Sequence, residues 1–324
     1  MIRILLTCSL LFSWILAGCT TTPVSGKKAL ILVPFSQEMS LGEQAFQQVL
    51  KEEKLSTNQQ AAAIVERVGR RIAAVTNMPD LKWEFRLIES DQLNAFALPG
   101  GKTAIYSAML AVCQNEAGLA AVMGHEIAHV IARHGAQRMS QDMLMQTGMA
   151  AAAISMADQS QRGMILGALG LGAQLGVVLP FSRGMESEAD EIGTIYMAKA
   201  GYDPAEAEKF WIRFANVKTG SAQPPEFLST HPADSTRISQ IRRLLPKAQS
   251  IYRANPNKYG VGASLVAGAT HPNRIGKPSP SALGSSPQTL SVLKTRPIKR
   301  EPIASPNTTG AVPASQPAMH LSQH

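Results

Sequence analysis

The segment HEIAHVIARHG, residues 125–135, combines side chains that could bind a metal ion and move protons. His125 and His129 are four residues apart, so on a helix they lie within roughly 40° of each other on one face. One zinc ion can reach both imidazoles at about 2.1 Å. Glu126 is displaced by roughly 100°, which brings its carboxylate towards the open side of the metal. There it could serve as a general base towards water and pass the proton to a leaving amine.

A zinc site of this kind needs a third protein ligand, and one source would be a third histidine further along the same helix. The extended form of the pattern has that histidine six residues after the second, with a glycine between them. Here position 135 is Gly135 and position 132 is Ala132, so this class is excluded. His134 is about 140° away from His129 around the helix and is expected to point away from the metal, as a supporting or core histidine.

A glutamate from a later helix is the other source of a third ligand. The segment SRGMESEADEIG, residues 182–193, places Glu186 and Asp190 four residues apart on one helical face. Glu186 could complete the metal ligands, and Asp190 could accept the remaining N–H of a ligand histidine and so determine its tautomer. The alternative is an acidic face exposed to solvent, which would also include Glu188 and Glu191.

A mainly helical domain is predicted to hold these side chains. Two amphipathic helices are indicated at about 36–54 and 57–76, before a strand in which Trp83, Phe85 and Leu87 alternate with charged residues. The fold class we expect is mainly α with a small β-sheet, an α+β domain of the zincin (gluzincin-like) metalloprotease type.

Turn and cap residues mark where the later elements begin and end. NAFALPGGKTAIYS predicts a β-hairpin or meander that bends at Pro99–Gly101. Asn115 is the predicted N-cap of the helix that carries HEIAH, and Gly135 is its predicted end. A second helix is expected at 182–199 and should stop at Gly201. Two further helices are predicted before the chain changes composition.

The apolar segment between the two metal-site helices, residues 149–181, allows more than one interpretation. Each apolar half is too short to span a bilayer, so a buried pair of helices is the default expectation. Five glycines between 163 and 176 also allow a mobile flap over the cleft or a segment that rests on a membrane.

The composition limits the class of protein. The chain has 324 residues, 45% hydrophobic but only 5% aromatic, so it can bury a sizeable and mainly aliphatic core. A formal net charge of +8 suits a protein near anionic surfaces. No basic motif interleaved with aromatic residues is present, and we therefore expect no nucleic-acid partner.

The N-terminus has the pattern of an export signal. Residues 1–18 contain Arg3 and a long apolar run, and their last residues Leu16-Ala17-Gly18, together with the Cys19 that follows, resemble a bacterial lipobox. Cys19 is then the predicted lipidation site and the membrane anchor. A simple cleaved signal or an uncleaved anchor is the alternative. Thr20 follows the cysteine, and by Gram-negative sorting rules this favours an outer-membrane location facing the periplasm.

The domain organisation follows from these features. We predict a signal peptide at 1–18, a lipidated N-terminus and linker at 19–35, and a zinc metallopeptidase domain at 36–252. The segment 253–324, rich in Pro and Ser, is predicted to be a disordered basic tail. Cys113 lies in an apolar stretch and is expected to be a small buried residue.

Three segments in this order, HEIAH, SRGMESEAD and STHPADSTRI (229–238), resemble the HtpX and CAAX-prenyl-protease (Ste-type) family of zinc metalloendopeptidases. The resemblance covers roughly residues 30–250, and the soluble periplasmic lipoprotein branch matches best. It implies one zinc ion per chain, bound by His125, His129 and Glu186. It also implies Glu126 and Asp190 as the catalytic groups. By the same resemblance, a further histidine, His231, can cover the open zinc position. The four membrane spans of HtpX and the tetratricopeptide domain of other members are missing from this pattern.

The resemblance implies a lipid-anchored endopeptidase of the bacterial envelope. Its expected substrates are unfolded or misassembled envelope proteins, removed as protein quality control. A chaperone or assembly factor for outer-membrane proteins, with little proteolysis, is the main alternative, and a zinc hydrolase of peptidoglycan is a third. The first two differ in whether Glu126 is needed. The strand in NAFALPGG could bind an extended peptide by strand addition in either case.

Overall fold

The computed structural model describes residues 19–156, 161–173, 178–217, 226–231, 235–260 and 264–265. The predicted signal peptide and nearly all of the predicted tail lie outside these residues. The described part is mainly helical with two small sheets, so the predicted α+β class is confirmed.

Within residues 19–106 the structure has five strands and two helices: β1 (Cys19–Thr21), β2 (Lys28–Leu30), α1 (Phe35–Glu52), α2 (Gln59–Ala73), β3 (Glu84–Ile88), β4 (Ala95–Leu98) and β5 (Lys102–Tyr106). β4 and β5 form the predicted antiparallel hairpin, with Gly100 and Gly101 at positive φ in its bend. β3 pairs parallel with β5, so the strand order is β3-β5-β4. β5 is buried in the middle, and β4 is an edge strand of this sheet.

Eight helices follow in the described residues: α3 (Met109–Cys113), α4 (Glu116–Ile131), α5 (His134–Ser155), α6 (Arg162–Ala173), α7 (Leu179–Lys199), α8 (Ala205–Ala215), α9 (Glu226–Thr230) and α10 (Ser235–Ala254). α4 is the central helix, packed against α2, α7, α8 and β4. The side chain of Asn115 caps α4 by accepting a hydrogen bond from the Gly118 N–H at 2.8 Å, as predicted. α7 stops before Gly201, also as predicted.

The predicted end of the HEIAH helix at Gly135 is wrong. α4 ends at Ile131, and Arg133 adopts a left-handed conformation (φ 54°) from which α5 starts at His134. A tertiary contact accounts for this, because the Arg133 guanidinium forms a 2.7 Å ion pair with the buried Glu38 of α1. The chain therefore turns two residues earlier than its glycine indicates.

Two glycines let the metal-site helices touch. Gly124 of α4 and Gly193 of α7 lie so close that a Cβ on Gly193 would be 2.7 Å from the Gly124 carbonyl carbon and from the His125 nitrogen. A side chain at either position would force the backbones apart. The crossing brings Glu186 and Asp190 over the histidines of α4.

The prediction of a buried helical pair between the metal-site helices is wrong for the described residues. α6 packs mainly on α5, and several apolar side chains of the described part of 149–181 are more than 40% exposed: Ile154, Met164, Leu169 and Leu171. No helix in the described residues is long and apolar enough to cross a membrane. Whether this segment moves stays a prediction.

Residues 19–35, assigned to a linker from their sequence, include a hairpin that packs on the domain. β1 and β2 pair antiparallel, and Ala29, Ile31 and Val33 contact Ala136 and Met139 of α5. All five residues from Ala29 to Val33 are apolar, and the pleat of an extended chain turns Ala29, Ile31 and Val33 to the buried face.

Candidate metal centre

Four side chains from three parts of the chain meet at one point. His125, His129, Glu186 and His231 each present one ligand atom, and these atoms all lie within 4.8 Å of one another. His125 and His129 come from α4, Glu186 comes from α7, and His231 directly follows α9. The structure therefore brings together all three predicted ligands and the predicted regulatory histidine.

The distances between these atoms fit a tetrahedral zinc site. His125 Nε2 lies 3.1 Å from His129 Nε2, 3.2 Å from His231 Nδ1 and 3.3 Å from Glu186 Oε2. Zinc bonds of about 2.0–2.1 Å in a tetrahedron place neighbouring ligand atoms roughly 3.3 Å apart. Three imidazole nitrogens and one carboxylate oxygen are also a donor set that zinc prefers.

Glu126 is positioned beside this group as the predicted general base. Its carboxylate is 2% exposed, and Oε1 makes no hydrogen bond within the described residues, although it lies 3.7 Å from His231 Nε2. A buried acceptor of this kind is costly unless another molecule pairs with it. Burial raises the pKa of Glu126, although His231 and His125 oppose the shift. Both properties suit a base that exchanges a proton with a bound reactant.

Asp190 contacts the far side of the first histidine, as predicted. Its Oδ1 is 2.9 Å from His125 Nδ1, which leaves Nε2 of this ring for the metal. The alternative of a solvent-exposed acidic face is wrong, because Glu186, Glu188 and Asp190 are 7%, 4% and 3% exposed.

Sequence reasoning missed Arg237, which lies in the quoted STHPADSTRI segment but had no assigned role. Its Nε and Nη2 donate to the two oxygens of Asp190 at 2.6 and 2.8 Å, and its Cζ lies 3.4 Å over the Trp211 ring. Trp211 also packs edge-on against His125. The acceptor Asp190 is 47 residues away in sequence, so no local spacing could have indicated this pair.

The pKa shifts follow from the charges packed around these rings. Burial and the Arg237 guanidinium lower the pKa of His125, but hydrogen bonds to Asp190 and Glu186 outweigh them and raise it to about 9. Burial would raise the pKa of Glu186, yet the surrounding histidines hold it well below its usual value. Ionised carboxylates thus favour a positive charge here, as a cation site requires.

His134 is not one of the four grouped side chains, in agreement with its predicted supporting position. Its Nδ1 lies 2.8 Å from Nδ1 of His129, on the side of that ring opposite the group. Cys113 is buried, and burial raises the pKa of its thiol to about 12, which confirms the prediction of a small core residue.

A buried helix with two histidines and a base, crossed by a helix with a ligand glutamate, defines a zinc-dependent metallopeptidase domain. Comparison with known proteins agrees: residues 59–245 match the model of Peptidase family M48, and the chain belongs to this family. HtpX and the Ste-type proteases are members too, and the matched domain is a zinc metalloendopeptidase domain.

Relatives come from mitochondria and from Gram-negative bacteria. The chain is 35% identical over 232 residues to the mitochondrial metalloendopeptidase OMA1 of Schizosaccharomyces pombe, covering 70% of this chain and 66% of that protein. It is 32% and 31% identical to the β-barrel assembly-enhancing proteases of Yersinia pestis and Escherichia coli. These matches cover 75% and 68% of this chain but only 52% and 46% of those proteins, so the chain spans about half their length.

Proposed function

We propose that this protein is a zinc-dependent endopeptidase that hydrolyses peptide bonds of unfolded or misassembled proteins. The observation that carries the proposal is the meeting of four ligand atoms within 4.8 Å beside the buried Glu126 Oε1, which accepts no hydrogen bond from the described residues. Membership of a metallopeptidase family supports the reaction class.

Each side chain has a distinct part in the proposed reaction. His125, His129 and Glu186 hold the zinc ion, which when bound polarises the peptide carbonyl and lowers the pKa of water. Glu126 accepts the proton of the attacking water and delivers it to the leaving amine. Asp190 keeps the proton of His125 on Nδ1, so that Nε2 stays available as a ligand. No side chain forms a covalent bond to the substrate in this scheme.

The edge strand β4 supports binding of extended segments. β4 packs beside α4, the helix that carries His125 and Glu126, and β5 covers only one of its edges within the described sheet. A peptide paired with the other edge would be held mainly through its backbone, which suits clients without a fixed sequence. Unfolded chains can adopt this conformation, whereas folded ones cannot.

Removal of the metal is the first test of the reaction. We expect the purified chain to cleave unfolded casein, to lose this activity with a chelator, and to regain it with one equivalent of zinc. The reason is that the three ligands and Glu126 can promote hydrolysis only when the zinc ion is bound between them and the substrate. Cleavage that persists in protein shown by elemental analysis to be free of metal would refute the proposal.

We further propose that the protein is anchored by lipid at Cys19 and faces the periplasm from the outer membrane, in the lipoprotein branch of the family. The lipobox before Cys19 and the Thr20 that follows it support this location. The names of the Yersinia and Escherichia relatives, which refer to β-barrel assembly, support envelope proteins as clients.

Replacing the acylated residue tests the anchor. Cys19→Ser should move the protein from the membrane to the soluble fraction of a Gram-negative host, since one serine cannot carry the lipid. Cys113→Ser is the matched control and should stay in the membrane fraction. Equal fractionation of the two variants, with residues 1–18 shown to be cleaved from both, would show that Cys19 does not hold the protein.

His231 supports a second candidate, a chaperone with restrained proteolysis. Its Nδ1 lies 2.7 Å from Glu186 Oε2 and 3.2 Å from His125 Nε2, so it takes the fourth position that water or substrate would need. A protein held in this state could bind clients at β4 and rarely cut them.

We expect His231→Ala to raise basal casein cleavage by several-fold with zinc still bound, because the fourth position becomes accessible. Initial rates and zinc content measured on the same samples provide the check. Unchanged or lower activity in zinc-loaded His231→Ala would refute the restraining role.

A further inference from the structure

We infer that His134, Glu188 and the N-terminal β1–β2 hairpin form a hydrogen-bond chain that positions the zinc ligand His129. This inference rests on the proposed function, because it takes His129 as a metal ligand. It assigns a part in the metal site to residues just after Cys19, which the sequence pattern placed in a linker.

The hydrogen-bond chain starts at the His129 ring, whose two nitrogens point in different directions. Nε2 points to the metal group, 3.1 Å from His125 Nε2, and Nδ1 points away from it, 2.8 Å from His134 Nδ1. A ring that binds metal through Nε2 carries its proton on Nδ1, so His129 donates and His134 accepts. The proton of a neutral His134 must then be on Nε2.

Nε2 of His134 is buried, forms no hydrogen bond within the described residues, and lies 3.5 Å from Glu188 Oε2. That separation is roughly 0.5 Å beyond an ordinary N–H···O bond, so a small shift completes the contact. His134 is 1% exposed and Glu188 is 4% exposed. Water is therefore kept from both groups, and Glu188 Oε2 is the acceptor that His134 Nε2 faces.

The hairpin holds the other end of the chain. Glu188 Oε1 accepts hydrogen bonds from the hydroxyls of Thr22 and Ser25, and Lys27 Nζ lies 3.8 Å from Oε2. Thr22 is itself buried, and its backbone N–H closes the hairpin by bonding to the Lys27 carbonyl at 2.9 Å. Every donor in this series therefore faces an acceptor. The Thr22 and Ser25 hydroxyls face the Glu188 carboxylate. The His129 ring faces His134, and His134 in turn faces the Glu188 carboxylate.

Such outer contacts usually fix the orientation and tautomer of a ligand histidine, and losing them lowers metal affinity about 10–100-fold. Asp190 supplies this contact directly to His125. His129 has no carboxylate of its own on that side within the described residues, and His134 extends its reach to Glu188. The two ligands of α4 are thus supported by one carboxylate each, both from α7.

The zinc dissociation constant of the full chain, measured by competition with a chromogenic chelator, tests the inference without depending on activity. We expect Glu188→Gln and His134→Phe each to raise it about 10–100-fold, and the double variant to add little, since one break interrupts the chain. Thr22→Val with Ser25→Ala should raise it about 3-fold or more. Glu191→Gln, the same change three residues along α7, is the matched control and should stay within about 2-fold of wild type.

A spectroscopic measurement on the zinc-loaded wild type keeps the inference testable if a variant does not fold. Long-range ¹H–¹⁵N spectra should show His129 protonated on Nδ1 and His134 on Nε2. Unchanged zinc affinity in the Glu188 and His134 variants, or a His134 proton on Nδ1, would overturn the chain. An unaffected hairpin variant would remove the hairpin from it.

His129→Ala separates this inference from the proposed function. If His129→Ala abolishes tight zinc binding while Glu188→Gln does not change it, only the hydrogen-bond chain is refuted. If His129→Ala keeps wild-type zinc affinity, His129 is not a ligand, and the proposed metal site itself is wrong.

Discussion

Glu126→Gln should lower the rate of casein cleavage by about 10²–10⁴-fold and leave zinc bound at one equivalent. Glutamine has nearly the same size but cannot accept a proton, and Glu126 is not among the four grouped ligand atoms. The Glu126 carboxylate is buried, and burial raises its pKa, so its ionised form is a stronger base than an exposed glutamate. Removing it should therefore stop the proton transfers without disturbing the metal.

Initial rates, zinc content and client binding should be measured on the same samples of Glu126→Gln. Glu191→Gln on α7 controls for the charge change, because Glu191 is only half-buried and belongs to no part of the proposed reaction. A zinc-loaded Glu126→Gln that cleaves at the wild-type rate would exclude Glu126 as the base. If neither the wild type nor Glu126→Gln cleaves casein but both bind unfolded clients, the chaperone interpretation becomes the better one.

Arg237→Met should lower the free energy of unfolding by about 3–5 kcal/mol, the largest stability effect we expect in this chain. Its guanidinium is 4% exposed and forms a two-pronged ion pair with Asp190, whose side chain is 2% exposed. Methionine keeps the apolar contact with Trp211 but removes the two-pronged cationic partner of the buried Asp190 carboxylate, which His125 contacts through one nitrogen. Loss of two charged hydrogen bonds at a buried carboxylate accounts for the size of the effect.

Denaturant unfolding of the metal-free chains measures this difference directly. Arg242→Met makes the same change five residues along α10, where Arg242 is 64% exposed and pairs with Glu208, and it should cost about 1 kcal/mol or less. Equal stability of the two variants would show that the Arg237–Asp190 pair does not hold α10 to α7. Zinc affinity should also fall in Arg237→Met, since Asp190 would no longer be held against His125.

Features set by neighbouring residues were predictable from the sequence. His125, Glu126 and His129 share a helix, so the 3.6-residue period alone places the two rings on one face. The same holds for Glu186 and Asp190 on α7. Asn115 as the α4 cap and the glycine bend between β4 and β5 are equally local, because a cap or a positive φ depends on a few adjacent residues.

Only the tertiary structure decided how these local pieces combine. Arg237 finds Asp190 from 47 residues away, and α4 ends at Ile131 because Arg133 pairs with Glu38, 95 residues earlier. The charged residues around Glu188 are consistent with a solvent-exposed helical face, yet a hairpin more than 160 residues upstream buries Glu188. Ion pairs and buried hydrogen bonds depend on which elements pack together, and no local period carries that information. The sequence by itself therefore determined the reacting groups, whereas packing determined the contacts that support them.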